Sequence, residues 1–100
     1  CFGIGRMDRG WQVRSEARGH LSKPPSAYLR RFYYDCLTHS EPALRMLLNA
    51  VGADHVVLGT DWPADMRIDW PVAWVLGLKS LTQEEKEHIL WRNLERLLGL

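Results

Sequence analysis

One stretch constrains the fold of this chain more than any other: residues 56–63, VVLGTDWP. Its first three residues are apolar and mostly β-branched, with no polar residue between them, which is typical of a strand buried on both faces in a parallel sheet. Because Pro63 disfavours helical geometry at Trp62, the backbone is expected to leave that strand in a turn. The stretch therefore predicts that Asp61 lies at the carboxyl end of a buried parallel strand.

Asp61 is the main candidate site residue in this stretch. In open α/β sheets and α/β barrels, the loops at the carboxyl ends of the strands form the mouth of the active site. An acidic side chain at that position can serve as a metal ligand or as a general base. It can equally cap the following turn by accepting hydrogen bonds from nearby backbone amides. The residues alone leave both interpretations open.

A second strand and a helix are predicted immediately before this stretch. Residues 32–36, FYYDC, form a short aromatic run that predicts a buried strand, and Asp35 within it is either a second site residue or a loop anchor. Ser40 is a good helix N-cap and Gly52 a good helix end. Between them, four apolar residues recur at helical spacing: Leu44, Leu47, Leu48 and Val51. Strand, helix and strand over residues 32–60 predict a right-handed crossover between two parallel strands.

Two further helices are predicted after Asp61. Residues 70–77 form a short apolar helix, and Thr82 with Glu85 forms a capping box that begins the last helix. Asn93 is expected to bend or break that helix. The residues predicted to face inward from it are Ile89, Leu90, Leu94, Leu97 and Leu98.

The N-terminal part has weaker patterns. Met7 and Trp11 are spaced for the inner face of a short helix, which Gly10 weakens. Residues 19–26 contain two consecutive prolines and are expected to form a connector, followed by one helical turn over residues 27–31.

Four arginines recur at spacings of three to five residues in this part of the chain: Arg6, Arg9, Arg14 and Arg18. The pattern is typical of a solvated basic face. The alternative is that one of them binds a substrate carboxylate through a two-pronged hydrogen bond.

Length and composition narrow the class of protein. One hundred residues, 46% hydrophobic and 25% charged, are typical of one soluble globular domain. A net charge of +1 argues against a polyanion-binding surface, so no nucleic-acid partner is expected. No apolar run approaches the roughly 20 residues of a membrane helix, and no signal peptide is evident. We therefore expect a cytoplasmic protein with no membrane partner and with Cys1 and Cys36 as reduced thiols. Because the chain does not begin with Met, we also expect it to be an excerpt of a longer polypeptide.

Several familiar site motifs are missing from the sequence. The four histidines have no metal-ligand spacing, and none is expected beside Asp61 at the same strand end. The sequence contains no G-x-G-x-x-G dinucleotide loop, no G-x-x-x-x-G-K phosphate loop and no G-x-S-x-G nucleophile elbow. A self-contained zinc site is therefore not expected.

Three segments resemble a known family. They are residues 31–35, RFYYD, residues 51–63, VGADHVVLGTDWP, and residues 93–100, NLERLLGL. Together they resemble the C-terminal third of the amidohydrolase-2 branch of the metal-dependent amidohydrolases, and in particular the aminocarboxymuconate-semialdehyde decarboxylase group. The resemblance covers essentially all 100 residues and is specific to the branch, though not to one substrate.

The resemblance implies an α/β fold in which residues 1–100 form the C-terminal part of a single (β/α)8 TIM-barrel domain, with strands seven and eight and their helices. It makes Asp61 a catalytic residue and a ligand of a divalent metal, usually zinc. It makes Arg14 a substrate-binding residue that reaches into the neighbouring subunit's site, which implies a homodimer. The family's histidine ligands have no counterpart here, so the chain alone is expected to be inactive.

The function implied for the parent protein is metal-dependent decarboxylation, the chemistry of a carbon–carbon lyase, on a small unsaturated or aromatic carboxylic acid. One alternative is a hydrolase of a lactone or amide in the same superfamily. Another is an inactive structural or oligomerisation segment when the chain is isolated.

Overall fold

The computed structural model describes all of residues 1–100. The chain forms two compact units, Cys1–Phe32 and Tyr33–Leu100. The assignment of residues 1–100 to one barrel domain stays a prediction. No helix of the chain combines the length and the apolar character needed to cross a membrane.

The N-terminal unit is helical. It contains helix α1 (Ile4–Val13), helix α2 (Ser15–Arg18) and a 3-10 helix over Pro25–Arg31. The Trp11 indole N–H donates to the carbonyl of Leu21 at 3.0 Å, which ties the following connector to α1. These elements confirm the helix expected around residues 7 and 11 and the helical turn expected at residues 27–31.

Met7 does not face inward as predicted, since 58% of it is exposed. The half-buried face of α1 is formed by Ile4, Asp8, Gly10 and Trp11. Asp8 contributes to that face because its carboxylate accepts a hydrogen bond from the backbone N–H of Ser26 at 2.9 Å. The inner face of α1 thus contains Asp8, whose carboxylate has a backbone partner, and not Met7, which the apolar spacing predicted.

The C-terminal unit is built on two short parallel strands, β1 (Tyr34–Asp35) and β2 (Val56–Val57). Tyr34 pairs with Val56 and Asp35 with Val57. Helix α3 (Glu41–Val51) connects them. The predicted strand–helix–strand unit with parallel strands is confirmed, although each strand is only two residues long.

Helix α3 begins and ends where the sequence predicts. The Ser40 hydroxyl accepts a hydrogen bond from the backbone N–H of Ala43, and Gly52 follows the helix with a positive φ of 88°. Three of the four predicted stripe residues are buried, namely Leu44, Leu48 and Val51. Burial of this stripe stabilises the helix, since isolated helices of this length are marginal.

The chain after β2 contains helix α4 (Pro71–Gly77), helix α5 (Gln83–Glu87), a π-helical turn at His88–Arg92 and helix α6 (Asn93–Leu98). The capping box of Thr82 and Glu85 is present, as predicted. Asn93 does not break the helix, since its backbone is helical.

The inward face of this last segment differs from the prediction. Ile89 and Asn93 are fully buried, whereas Leu97 and Leu98 are 46% and 68% exposed. A π turn contains one residue more than an α turn and therefore changes the phase of the helix. The π turn lies before Asn93, and the prediction that Leu97 and Leu98 face inward is wrong.

An ion pair connects α3 to α5 across the C-terminal unit. Both terminal guanidinium nitrogens of Arg45 donate to the Glu85 carboxylate, Nη1 to Oε1 at 2.8 Å and Nη2 to Oε2 at 2.6 Å. The Arg45 hydrogen bonds lower the pKa of Glu85 from 4.5 to about 2. Glu85 also accepts from the backbone N–H of Thr82, so one carboxylate serves both the cap and the ion pair.

The core of the C-terminal unit is almost entirely apolar. Its buried hydrophobic residues are Cys36, Leu44, Leu48, Val51, Val56, Val75, Leu78, Leu81 and Ile89. The thiols of Cys1 and Cys36 are both unpaired. Burial raises the pKa of the Cys36 thiol.

Candidate functional site

The carboxyl ends of β1 and β2 meet at a point of very close approach. A Cβ atom placed on Gly59 would lie 2.6 Å from the Cβ of Asp35. Real Cβ atoms do not come that close, so this position requires glycine. The Asp35 carboxylate accepts a hydrogen bond from the backbone N–H of Leu37 at 2.8 Å, which is the loop-anchoring role that the sequence left open for it.

Asp61 is exposed and has a left-handed backbone, with φ of 59°. Its carbonyl accepts the N–H of Ala64 at 2.7 Å, and the Thr60 hydroxyl accepts the N–H of Trp62 at 3.2 Å. The turn is therefore stabilised by a backbone carbonyl and by a threonine hydroxyl. The Asp61 carboxylate makes no hydrogen bond or ion pair within the chain and is free to bind a ligand.

Residues 61–70, which we call the Asp61 loop, are held mainly by their own hydrogen bonds. The N–H of Ile68 returns to the carbonyl of Thr60 at 3.1 Å. The Arg67 guanidinium donates to the carbonyl of Ala64 and to the carboxylate of Asp69. An open cleft of about 420 Å³ adjoins the loop, lined by Thr60, Trp62, Arg67, Ile68, Asp69 and Pro71.

His39 lies against the Asp61 loop. Its Nε2 is 2.7 Å from the carbonyl oxygen of Met66, and since a carbonyl only accepts, Nε2 carries the hydrogen. The contact is with Met66, so the expectation that no histidine lies beside Asp61 stays a prediction. The sequence carries a signal that places His39 and Asp61 at the same end of the strands, because His39 is the fourth residue after β1 and Asp61 is the fourth after β2.

The opposite ends of the strands carry structural polar contacts. The Asn93 amide donates to the carbonyls of Ala53 and Val56, both at 2.7 Å, and its oxygen lies 2.9 Å from Nδ1 of His88. The Arg96 guanidinium donates to the carbonyl of Asp54 at 2.8 Å. In parallel α/β folds, residues at this end of the strands mainly stabilise the fold, whereas catalytic residues lie at the carboxyl ends. The contacts of Asn93 and Arg96 agree with the stabilising role.

The residues of this chain do not form a complete metal site. No group of three or more His, Cys, Asp or Glu side chains is placed to hold an ion. Catalytic zinc sites typically have three protein ligands. Asp61 offers a single unengaged carboxylate, which fits one position of such a site and no more.

Arg14 belongs to the N-terminal unit, whereas Asp61 belongs to the C-terminal unit. Arg14 joins α1 to α2 with an extended backbone, and its exposed side chain makes no polar contact within the chain. Arg18 is engaged differently, since its guanidinium donates to the carbonyls of Trp11 and Gln12 at the end of α1. Arg18 therefore has a structural role, and Arg14 is open to a ligand.

Comparison with known proteins gives consistent matches over nearly the whole chain. A family model described as amidohydrolase matches residues 3–100. The 2-amino-3-carboxymuconate-6-semialdehyde decarboxylase of Dictyostelium discoideum is 33% identical over 100 residues, covering 99% of this chain and 28% of that protein. The protein of the same name from Caenorhabditis elegans is 32% identical over 97 residues, covering 96% of this chain and 24% of that protein. The chain thus spans about a quarter of the length of these relatives.

A solved structure has the same fold over nearly the whole chain. The crystal structure of Metarhizium anisopliae IDCase in apo form matches with a TM-score of 0.73 and 22% sequence identity. The match covers 98% of this chain and 30% of that one. At this level of identity the likeness concerns the fold alone.

Proposed function

This chain belongs to the amidohydrolase family, and from that premise we propose that it is part of a decarboxylase, a carbon–carbon lyase acting on a small unsaturated or aromatic carboxylic acid. The observation that carries the proposal is the identity of 33% and 32% with two decarboxylases over nearly the whole chain. The chain covers only 28% and 24% of those proteins, so the activity is proposed for the longer parent and not for the isolated chain.

The fold matches part of an amidohydrolase TIM barrel. We propose that β1 and β2 are its seventh and eighth strands. The support is that both strands are parallel, adjacent and joined by a helix, as consecutive barrel strands are. On this assignment the Asp61 loop opens onto the catalytic face of the barrel.

We propose that Asp61 supplies one ligand to a divalent metal, most simply zinc. Three features support this role: the position after a strand's carboxyl end, the exposure of the carboxylate and its freedom from any partner in the chain. The left-handed backbone at Asp61 is a fourth indication, since residues in sparsely populated conformations cluster at functional sites. The remaining ligands would be supplied by parts of the parent outside these residues.

We propose that Arg14 binds the substrate carboxylate, and does so in the site of a neighbouring subunit of a homodimer. A guanidinium recognises a carboxylate through two parallel hydrogen bonds, and the Arg14 side chain has no competing partner within its own chain. This role requires that each site of the dimer be completed by the other subunit.

Decarboxylation replaces the substrate carboxylate with a proton. The bond between the carboxylate carbon and the unsaturated carbon breaks, its electron pair stays on the unsaturated carbon, carbon dioxide leaves and a proton takes its place. The part of this chain in that reaction is to hold the carboxylate through Arg14 and to contribute the Asp61 ligand.

The decisive experiment supplies the purified parent protein with 2-amino-3-carboxymuconate-6-semialdehyde and measures carbon dioxide release together with loss of the substrate. Release of one carbon dioxide for each substrate consumed supports the proposal. Opening of a lactone or amide by the same protein without carbon dioxide release overturns it in favour of a hydrolase. Retention of both metal and activity by a full-length Asp61→Asn variant favours instead a structural role for this segment.

A further inference from the structure

We propose that His39 is a positioning residue that holds the Asp61 loop in place at the carboxyl ends of the strands. The importance of that loop rests on the proposed role of Asp61. The inference itself rests on the geometry of His39, which no role proposed above uses.

The two loops that follow the strands are built alike. His39 and Asp61 each occur four residues after their strand, and they are the only residues other than glycine with a positive φ, at 51° and 59°. A left-handed backbone at a residue with a side chain persists only where the surroundings impose it. Both loops therefore adopt fixed conformations at the same end of the sheet.

The contact from His39 differs in kind from the other hydrogen bonds of the Asp61 loop. The bond from Ile68 to Thr60 and the bond from Ala64 to Asp61 lie within residues 60–68 and set the local shape of the loop. The bond from Nε2 of His39 to Met66 comes from a residue 27 positions earlier. It is thus a tie between the Asp61 loop and the segment that follows β1.

Histidine suits both requirements of this position. Its ring places an N–H donor farther from the backbone than an asparagine amide does, and histidine is among the residues enriched at positive φ. Asparagine tolerates the same backbone but is shorter, whereas glutamine reaches about as far as Nε2 and tolerates the backbone less well. Comparing His39→Asn with His39→Gln therefore separates the effect of donor reach from the effect of backbone strain.

The test measures amide hydrogen exchange by NMR on the chain itself, before and after the change His39→Asn. We expect exchange at the N–H of Ile68 to accelerate about three- to tenfold, the range for loss of one hydrogen bond. The N–H of Gly52, which is bonded to Leu48 at the end of α3, reports on the rest of the unit and should be unchanged. The change His39→Gln should restore part of the protection at Ile68. The change His20→Asn, in the N-terminal unit, is the matched control.

Unchanged exchange at Ile68 in a folded His39→Asn chain would overturn the inference. Equal acceleration at Ile68 and Gly52 would do the same, because it would mean that His39 only adds to global stability. The measurement needs no substrate and no metal, so its outcome is independent of the carbon dioxide assay. A positive exchange result with a parent that releases no carbon dioxide would leave the His39 tie standing while the proposed function fails.

Discussion

Gly59 and Asp35 are in contact at the point where the two strands end, with a distance of 2.6 Å between the Asp35 Cβ and the position that a Cβ on Gly59 would occupy. The change Gly59→Ala is therefore expected to force the strand ends apart and to lower the free energy of unfolding by about 1 to 3 kcal/mol, the usual cost of overpacking. Urea denaturation of the chain measures this change.

The control for that variant is Gly77→Ala. Gly77 is the last residue of α4, and an added Cβ there would meet nothing within 4 Å. Alanine favours a helix more than glycine does, so this change should leave stability unchanged or raise it slightly. Equal stability of both variants would contradict the contact between the strand ends.

The change Asp61→Asn tests the metal ligand. In the parent protein it should reduce bound metal per polypeptide, because an amide is a much weaker ligand than a carboxylate. Changes to groups that only support metal ligands cost about 10- to 100-fold, so for the ligand itself we expect more than about 100-fold loss of activity. Elemental analysis and the carbon dioxide assay measure the two effects. The matched control is Asp65→Asn, an exposed aspartate of the same loop, which should keep both metal and activity.

The proposed action of Arg14 across a dimer predicts complementation. Arg14→Gln and Asp61→Asn parents should each be inactive alone. In a mixed dimer one site combines an intact Asp61 with the intact Arg14 of its neighbour. An equal mixture of exchanging subunits should therefore recover up to about one quarter of the wild-type activity. Arg14→Gln mixed with the double variant should recover none. Absence of recovery, with subunit exchange shown by mass, would place Arg14 in its own subunit's site or in none.

The Arg45–Glu85 ion pair predicts the acid sensitivity of the C-terminal unit. The pKa of Glu85 is lowered from 4.5 to about 2 in the folded chain. A lowered carboxyl pKa stabilises the fold above the unfolded-state value, and that stabilisation is lost as pH falls from about 5 to 2. The pair is partly exposed, so after screening we expect its loss to cost about 1 kcal/mol.

The change Glu85→Gln separates the ion pair from the helix cap, because glutamine retains the capping box. The variant should be less stable than wild type at pH 7 and equal to it near pH 2. Thermal unfolding followed between those pH values measures the difference. Glu84→Gln, the neighbouring exposed position, should follow the wild-type curve.

Asn93 predicts a large loss of stability on truncation. Its amide is buried and donates to the carbonyls of Ala53 and Val56. The change Asn93→Ala leaves both carbonyls without a donor and should cost about 3 kcal/mol, measured by urea denaturation. Asn49→Ala removes an exposed asparagine of α3 and should cost nothing, since alanine is the better helix former.

The features that the sequence predicted are those encoded by neighbouring residues. The unbroken apolar run before Gly59 predicted β2, and Pro63 predicted the turn after it. The cap at Ser40 and the capping box at Thr82 depend on residues three positions away, and both are present.

The features that the sequence did not predict depend on residues distant in the chain. Asn93 is predicted to bend or break the last helix, and its buried role is not evident from its neighbours because its carbonyl partners lie 37 and 40 residues earlier. His39 was not assigned to the site because its partner Met66 becomes a neighbour only after β1 and β2 pair. The capping interpretation of Asp61 could not be decided from the sequence, because it depends on which oxygen accepts the N–H of Ala64, and in the structure that oxygen is the Asp61 carbonyl.

Asn93 also affects when β2 can become fixed during synthesis. The ribosome adds residues from the N-terminus, so the strand leaves the exit tunnel well before the residue that anchors its beginning. Until Asn93 emerges, the carbonyls of Ala53 and Val56 lack their partner, although β2 can already pair with β1. In a nascent chain, pairing of β2 with β1 can therefore precede the anchoring of the start of β2 by Asn93.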